Sequence, residues 1–274
     1  MRNIMSNDAD SMSISVLSSG SGGNVTYIET NQHKVLLDAG LSGIRIKKLM
    51  KSINRDLNDV DMLLVTHEHT DHSKAVGILA RKYPKINVYA NEQTWEAMAS
   101  TIGEVPECQK NIFPPNMTMS FGDLDIESFA VSHDAARAQF YNFHHHNKSF
   151  VVITDVGYVS DHISGVIDNA NAYVFECNHD LEMLRSGEYP WSLKQRIMGD
   201  EGHLSNEDGA DALMDCIGRN TEHIFIGHRS HHNNVKELAH LTVASMLEEH
   251  DFGVGHDFDL LDTDVEQASP LYTL

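Results

Sequence analysis

The sequence predicts a single α/β domain in which short buried strands alternate with helices. Apolar runs such as Met62-Leu63-Leu64-Val65, Phe150-Val151-Val152-Ile153 and Ile224-Phe225-Ile226 read as buried strands, and amphipathic stretches of helical length lie among them. Several of these runs end on a His or an Asp, where a strand's end holds a side chain rigidly yet open to solvent. No internal repeat or low-complexity linker divides the 274 residues, which are ample for one buried core. Residues 1–11, with Asp8 and Asp10 and no apolar stretch, read as a short disordered lead-in, leaving 12–274 as the domain.

In chain order, 13–17 and 25–28 read as strands flanking Ser18-Ser19-Gly20-Ser21-Gly22-Gly23-Asn24. This Gly-rich turn lacks the lysine of a P-loop and no helix follows it, so a tight hairpin is expected. Val35-Leu36-Leu37 forms the next strand and ends at Asp38, which is either a turn residue or a carboxylate that orients a neighbouring imidazole. Residues 43–52 suggest a helix with Ile44, Leu49 and Ile53 facing inward. The strand 62–65 runs into His67, His69, Asp71 and His72. Helices are expected at 73–82 and 92–100, with a strand at 86–90 between them. A Pro-containing region then leads to a strand pair around 117–131 that ends at Val131-Ser132-His133.

Residues 139–143 and 149–153 read as a hairpin whose turn holds His144, His145 and His146 as solvated residues, and the second strand runs on to Asp155. A strand at 172–176 ends at Glu176. Residues 181–202 pass through a turn at Gly187 and Pro190 to Gly202-His203-Leu204-Ser205-Asn206, where Ser205 or Asn206 caps the following helix. The strand 223–227 leads into His228, a helix spans 235–249, and the acidic stretch 257–274 closes with strand structure.

Composition limits the function. Forty Asp and Glu against twenty Lys and Arg give a formal charge of −20, which argues against a broad basic face that tracks a nucleic-acid backbone. It does not exclude a phosphate substrate, because bound cations would neutralise part of a local negative field. No apolar run reaches the length of a membrane span and no signal peptide is evident, so a cytoplasmic protein without membrane association is expected. Cys108, Cys177 and Cys216 are too scattered for a disulfide framework and read as reduced, buried residues.

The chemistry concentrates at His67-x-His69-x-Asp71-His72. In extended backbone, residues two apart point the same way, so His67 and His69 can grip one ion while Asp71 and His72 turn toward a second. His133 is a candidate third ligand of the first ion. A carboxylate such as Asp155 can bridge two cations, which an imidazole cannot.

The ordered set Asp38, His67-x-His69-x-Asp71-His72, His133, Asp155, His228 resembles the motifs of the metallo-β-lactamase superfamily across nearly the whole chain. The resemblance implies an αββα sandwich with two metals at one edge of the paired sheets. It puts His67, His69 and His133 on one ion, Asp71, His72 and His228 on the other, Asp155 between them, and Asp38 behind a ligand. Residues 19–24, Glu176-Cys177-Asn178-His179-Asp180, Gly202-His203-Leu204-Ser205-Asn206 and Asn233-Asn234 look like the YycJ/WalJ branch, whose relatives include ribonuclease Z and the PhnP phosphodiesterases. The final motif departs from that branch in carrying Arg229, His231 and His232. No insertion resembles the tRNA-gripping arm of ribonuclease Z.

The resemblance implies a hydrolase with two divalent ions, Zn or Mn, that cleaves phosphodiester bonds by a metal-bridged hydroxide, most specifically an exonuclease on DNA. Asp71, His203 and Glu176 would be its catalytic residues, with His203 donating a proton to the leaving oxygen; the alternative for His203 is a capping or packing role. A second reading is a small-molecule hydrolase of a cyclic phosphodiester, lactone or thioester. A third is a metal-bearing interaction protein, although no feature points to a protein partner.

Overall fold

The first half of the chain builds one sheet. Its elements are β1 (Ser13–Ser18), β2 (Val25–Glu29), β3 (Lys34–Leu37), α1 (Gly43–Ser52), β4 (Met62–Leu64), α2 (Thr70–Ser73), α3 (Val76–Lys82), β5 (Asn87–Ala90), α4 (Glu92–Met98) and β6 (Lys110–Ile112). The second half builds another from β7 (Thr118–Phe121), β8 (Leu124–Ala130), β9 (Gln139–His145), β10 (Lys148–Ile153), α5 (Asp161–Ile167), β11 (Ala172–Glu176), α6 (Leu181–Ser186), α7 (Trp191–Ile197), α8 (Asn206–Met214), β12 (His223–Gly227), α9 (Lys236–Glu249) and β13 (Asp259–Asp262). Strand β14 (Tyr272–Thr273) returns to pair with β1. This computed structural model describes residues 11–274, so the lead-in expected over 1–11 lies outside the described residues except for Ser11.

The strand orders are β14-β1-β2-β3-β4-β5-β6 and β13-β12-β11-β10-β9-β8-β7. Each sheet joins antiparallel hairpins to a parallel run, β3 to β6 in the first and β10 to β13 in the second. Parallel neighbours require crossovers, and each of the six among the described residues contains a helix.

Alternation along the strands separates two cores. Val35, Leu37, Met62 and Leu64 pack with the second sheet, where Phe140, Phe143, Phe150, Phe175 and Phe225 are fully buried. Their neighbours Leu36, Leu63 and Val65 pack against Ile46, Leu49 and Met50 of α1 and Leu79 of α3. Helices α5, α8 and α9 add Ile167, Leu213 and Val243 to the larger core. The layers are therefore helix, sheet, sheet, helix in one domain. No helix among the described residues is long and apolar enough to cross a membrane.

Several local expectations need correction. Ile44 is 85 % exposed; the inward face of α1 is set by Ile46, Leu49 and Met50, and Ile44 lies about 200° around the helix from Ile46. Cys108 is exposed, whereas Cys177 and Cys216 are buried. His144 and His145 belong to β9, and His145 is fully buried with Nδ1 2.7 Å from the Asp123 carbonyl. The turn is only His146-Asn147, with His146 left-handed at φ 53°, the geometry that two-residue hairpins demand. The stretches 161–167, 181–186 and 191–197 form short helices where no element is expected; the first two are capped by the side chains of Ser160 and Asp180, and the third follows Pro190 without a side-chain cap.

Candidate metal centre

Three strands that end at the same edge finish in the same unusual way. Asp38 after β3, Asp155 after β10 and His228 after β12 all have left-handed backbone, with φ of 62°, 51° and 50°. Side chains with a Cβ seldom adopt this conformation, and holding it costs on the order of 1–3 kcal/mol per residue. The surrounding bonds enforce it: Asp38 N–H donates to the Leu64 carbonyl at 2.8 Å, and His228 N–H donates to Ser19 Oγ at 2.8 Å. The reversal turns the three side chains back over the sheet edge, toward the loop that carries His67, His69, Asp71 and His72.

The donor atoms of His67, His69 and His133 lie within 4.8 Å of one another, as do those of Asp71, His72, Asp155 and His228. Closest approaches are 3.3 Å between His133 Nε2 and His69 Nδ1, 3.0 Å between His72 Nε2 and Asp155 Oδ2, 3.3 Å between His228 Nε2 and Asp155 Oδ1, and 3.5 Å between His228 Nε2 and Asp71 Oδ2. Asp155 Oδ1 is also 3.7 Å from His133 Nε2, so this carboxylate touches both groups. Donors bound to one tetrahedral Zn at the usual bond lengths stand about 3.3 Å apart, which matches these separations.

The far nitrogens of the imidazoles fix which nitrogen is bare. Thr66 Oγ1 donates to Asp38 and lies 3.0 Å from His67 Nδ1, so it accepts the Nδ1 proton and leaves His67 Nε2 unprotonated. That Nε2 is buried and has no partner. His72 Nδ1 donates to Asp38 Oδ2 at 2.7 Å, His228 Nδ1 donates to Glu176 Oε1 at 2.9 Å, and His133 Nδ1 faces the Gly202 carbonyl at 3.2 Å. Each bond leaves an Nε2 lone pair aimed at the cluster, the arrangement in which ligand imidazoles are normally held. Asn24 Nδ2, 3.0 Å from His72 Nε2, donates to it when that nitrogen carries neither proton nor ion.

Electrostatics agree with a cation site. Burial, then the nearby His72, holds His67 well below the ordinary histidine range, so it stays neutral. Burial is the largest single influence and would lower His72 and His228, but the surrounding carboxylates together outweigh it, Asp155 with Asp38 and Asp71 at His72, and Asp155 with hydrogen bonds to Asp71 and Glu176 at His228, and both are raised. Burial would raise Asp155, yet His228 and His72 hold it well below the usual carboxylate value. The carboxylates that draw protons to these rings draw a divalent cation equally, and ion and proton compete for the same nitrogens. The residues present therefore fit divalent metal ions.

Glu176, fully buried, has no bond to spare for an ion. Oε1 takes His228 Nδ1 at 2.9 Å and His203 Nδ1 at 2.8 Å, and Oε2 accepts the N–H groups of Val156 and Leu204 at 3.0 and 3.3 Å. It couples His203 to His228, whose rings stack at 5.4 Å. His203, His69, Asp71, His133, Asp155 and His228 all line one cavity of about 250 Å³, walled on its far side by Tyr189, Leu193 and Arg196.

The candidate ligands, His203, Glu176 and Asp38 thus converge on one edge, with Asp38 bonded to His72. Thr66 and the Gly202 carbonyl are further functional groups that nothing in the sequence marks, although Thr66 directly precedes the His cluster, and the same holds for the residues of α7 that line the cavity. His144 and His146 belong to a distant hairpin.

Two sheets edged by His and Asp side chains in this order define a metallo-β-lactamase-type fold, and the pattern of the family described as "Beta-lactamase superfamily domain" matches residues 33–226. The chain belongs to that superfamily and, within it, to the branch of WalJ and YycJ. It is 54 % identical over 259 residues to a Streptococcus pneumoniae protein named exodeoxyribonuclease WalJ, covering 94 % of this chain and 96 % of that one. It is 54 % identical over 257 residues to exodeoxyribonuclease YycJ of Bacillus anthracis, covering 94 % and 97 %. Among solved structures, the metallo-beta-lactamase fold protein YhfI of Bacillus subtilis superposes with a TM-score of 0.71 at 13 % identity, covering 97 % of this chain and all of that one, a likeness of fold.

Proposed function

We propose that the chain is a metal-dependent phosphodiesterase that degrades DNA as an exonuclease, using two divalent ions, Zn or Mn. The observation that carries the reading is the shared, buried Asp155 between two sets of imidazoles whose bare nitrogens face one another. His67, His69 and His133 would hold one ion, Asp71, His72 and His228 the other, and Asp155 both. The names of the 54 % identical relatives support DNA as the substrate and exonucleolytic cleavage as the reaction.

When bound, the ions supply Lewis acidity and an activated water near neutral pH. The chain's own groups do the rest. His203 lines the cavity, 21 % exposed, with Nδ1 bonded to Glu176, which leaves Nε2 as its free end. Burial would lower its pKa, but the charge and hydrogen bond of Glu176, with Asp155 beside it, outweigh burial and raise it, which favours the protonated ring. It can pass that proton to the departing oxygen, a contribution worth about 10²–10⁴-fold. Glu176 fixes the donor and His228 at once. Leu193 and the half-buried Tyr189 shield one side of the cavity from water.

The test is degradation of end-labelled single- and double-stranded DNA by protein loaded separately with Mn and Zn, beside His203→Ala. Metal-dependent shortening that collapses in the variant supports the proposal. No shortening with either metal, together with turnover of a cyclic phosphodiester or lactone, would replace it with the small-molecule hydrolase.

A further inference from the structure

We infer that a second groove beside the catalytic cavity binds the nucleotides next to the scissile phosphate of a single-stranded nucleic acid, with Tyr189 and His232 as its stacking surface. The inference rests on the phosphodiesterase reading of the cavity and extends it to the strand.

Size makes a second site necessary. The cavity of about 250 Å³ is smaller than the pockets of roughly 300–1,000 Å³ that enclose drug-sized ligands. A phosphate and an adjoining sugar fill it, and the rest of a strand must lie elsewhere. A groove of about 770 Å³ adjoins it, and Ser21, Tyr189 and Ser230 form the wall common to both. A chain leaving the cavity over this wall enters the groove directly.

The groove offers what a single strand requires. Tyr189 packs edge-on against His232, with centroids 5.8 Å apart at 62°, so the rings hold each other in place. Such rings accept any base, because every base has a π face. Its charge is also biased against the −20 of the whole chain. Arg45 is committed to the Val265 carbonyl and Glu266, and Arg229 to the carbonyls of Ile226 and Thr263 and, at 3.7 Å, to the Asp262 carboxylate. Of the carboxylates, Glu266 is paired with Arg45, and Asp264 accepts the N–H groups of Glu266 and Gln267. Lys236 is exposed at the start of α9 and forms no ion pair among the described residues, which leaves its ammonium free for a phosphate. The exposed pair His231-His232, the stretch by which this chain departs from its branch's pattern, thereby acquires a role.

The experiment measures binding and cleavage separately. Anisotropy of a labelled oligothymidylate reports binding to the full, chelator-treated chain. Turnover of bis(4-nitrophenyl) phosphate by the metal-loaded chain reports the cavity. Tyr189→Ala and His232→Ala should each weaken oligonucleotide binding by about tenfold, and Lys236→Glu should weaken it and flatten its salt dependence. The same charge change at Lys82, exposed on α3, should leave binding unchanged. Small-diester turnover should fall less than twofold in His232→Ala and Lys236→Glu. Wild-type protein that does not bind the oligonucleotide, or three groove variants that bind as wild type does, would overturn the inference. Groove-dependent binding in a protein that cleaves neither DNA nor the small diester with any metal would instead remove the phosphodiesterase reading and leave the groove as a strand-binding site.

Discussion

Asp38 Oδ2 and His72 Nδ1 are joined at 2.7 Å in the floor of the site, both residues nearly inaccessible, 34 positions apart in the chain. The carboxylate also accepts Thr66 N–H at 2.9 Å and its hydroxyl, and through Thr66 it sets the tautomer of His67. One carboxylate thus orients an imidazole in each of the two groups. Asp38→Asn should lower metal affinity by about 10–100-fold, because the amide can donate toward Nδ1 and release the ring's alternative tautomer. Metal content after dialysis against graded chelator would check this. Retention equal to that of the unmodified protein would mean the bond is merely structural.

Glu176 and His203 should separate in their effects even though they are hydrogen-bonded. With His203 as the proposed proton donor, His203→Ala removes that group alone, so hydrolysis should fall by about 10²–10⁴-fold while metal content stays unchanged. Glu176→Gln also frees His228 Nδ1, which the carboxylate holds at 2.9 Å, so it should lose both activity and metal. Elemental analysis beside a cleavage assay distinguishes the two. Loss of metal in His203→Ala would instead make that residue a ligand, in keeping with its place beside Asp155 and His228.

The candidate ligands were legible because each closes an apolar strand, and a polar residue at that point has a restricted set of uses. Asp155 and His228 stand out in sequence only as such endings, yet both have left-handed backbone, which at His228 is held by a bond to distant Ser19. Thr66 and the Gly202 carbonyl act through position, and neither a threonine nor a backbone oxygen marks itself by type. Helices α6 and α7 were obscured by Gly187 and Pro190, which separate two segments too short to show periodicity. The error at Ile44 has a similar origin, since one apolar residue near a helix start does not define its face.

Stability should depend on pH at a place remote from the candidate metal centre. Burial would raise the pKa of Glu29, but the hydrogen bond from Arg55, with Nε 2.6 Å away, and that from the Tyr27 hydroxyl, also at 2.6 Å, outweigh it and depress it. A depressed carboxylate stabilises the fold fully above its unfolded value, about pH 4.3, and loses that contribution as pH falls through its lower folded value. Glu29→Gln should therefore cost about 1–2 kcal/mol at pH 7. The gap between variant and wild type should narrow below about pH 4.3 in urea unfolding curves of chelator-treated protein. A gap that stays constant down to pH 3 would show that Glu29 contributes through packing rather than charge.

Gly40 offers the sharpest test of how the backbone positions the ligand loop. A Cβ there would sit 1.6 Å from the Asp71 carbonyl oxygen and 2.8 Å from Asn24 N, the two atoms that bond to each other at 2.8 Å. Only glycine permits the β1–β2 turn and the start of α2 to close over this point. Gly40→Ala must push the Asp71 backbone outward and part it from Asn24, which moves one candidate ligand directly and strains its neighbour His72. Overpacking of this kind typically costs about 1–3 kcal/mol, and the steepness of the contact places Gly40 at the upper end. At Gly22, in the same turn region, a Cβ meets nothing within 4 Å, so Gly22→Ala should change stability by less than about 0.5 kcal/mol. Thermal unfolding and metal content measured on the pair should show both quantities reduced in Gly40→Ala and neither in Gly22→Ala. Full metal retention in a destabilised Gly40→Ala would mean that Asp71 moves without consequence for the ion, and would remove it from the ligand set.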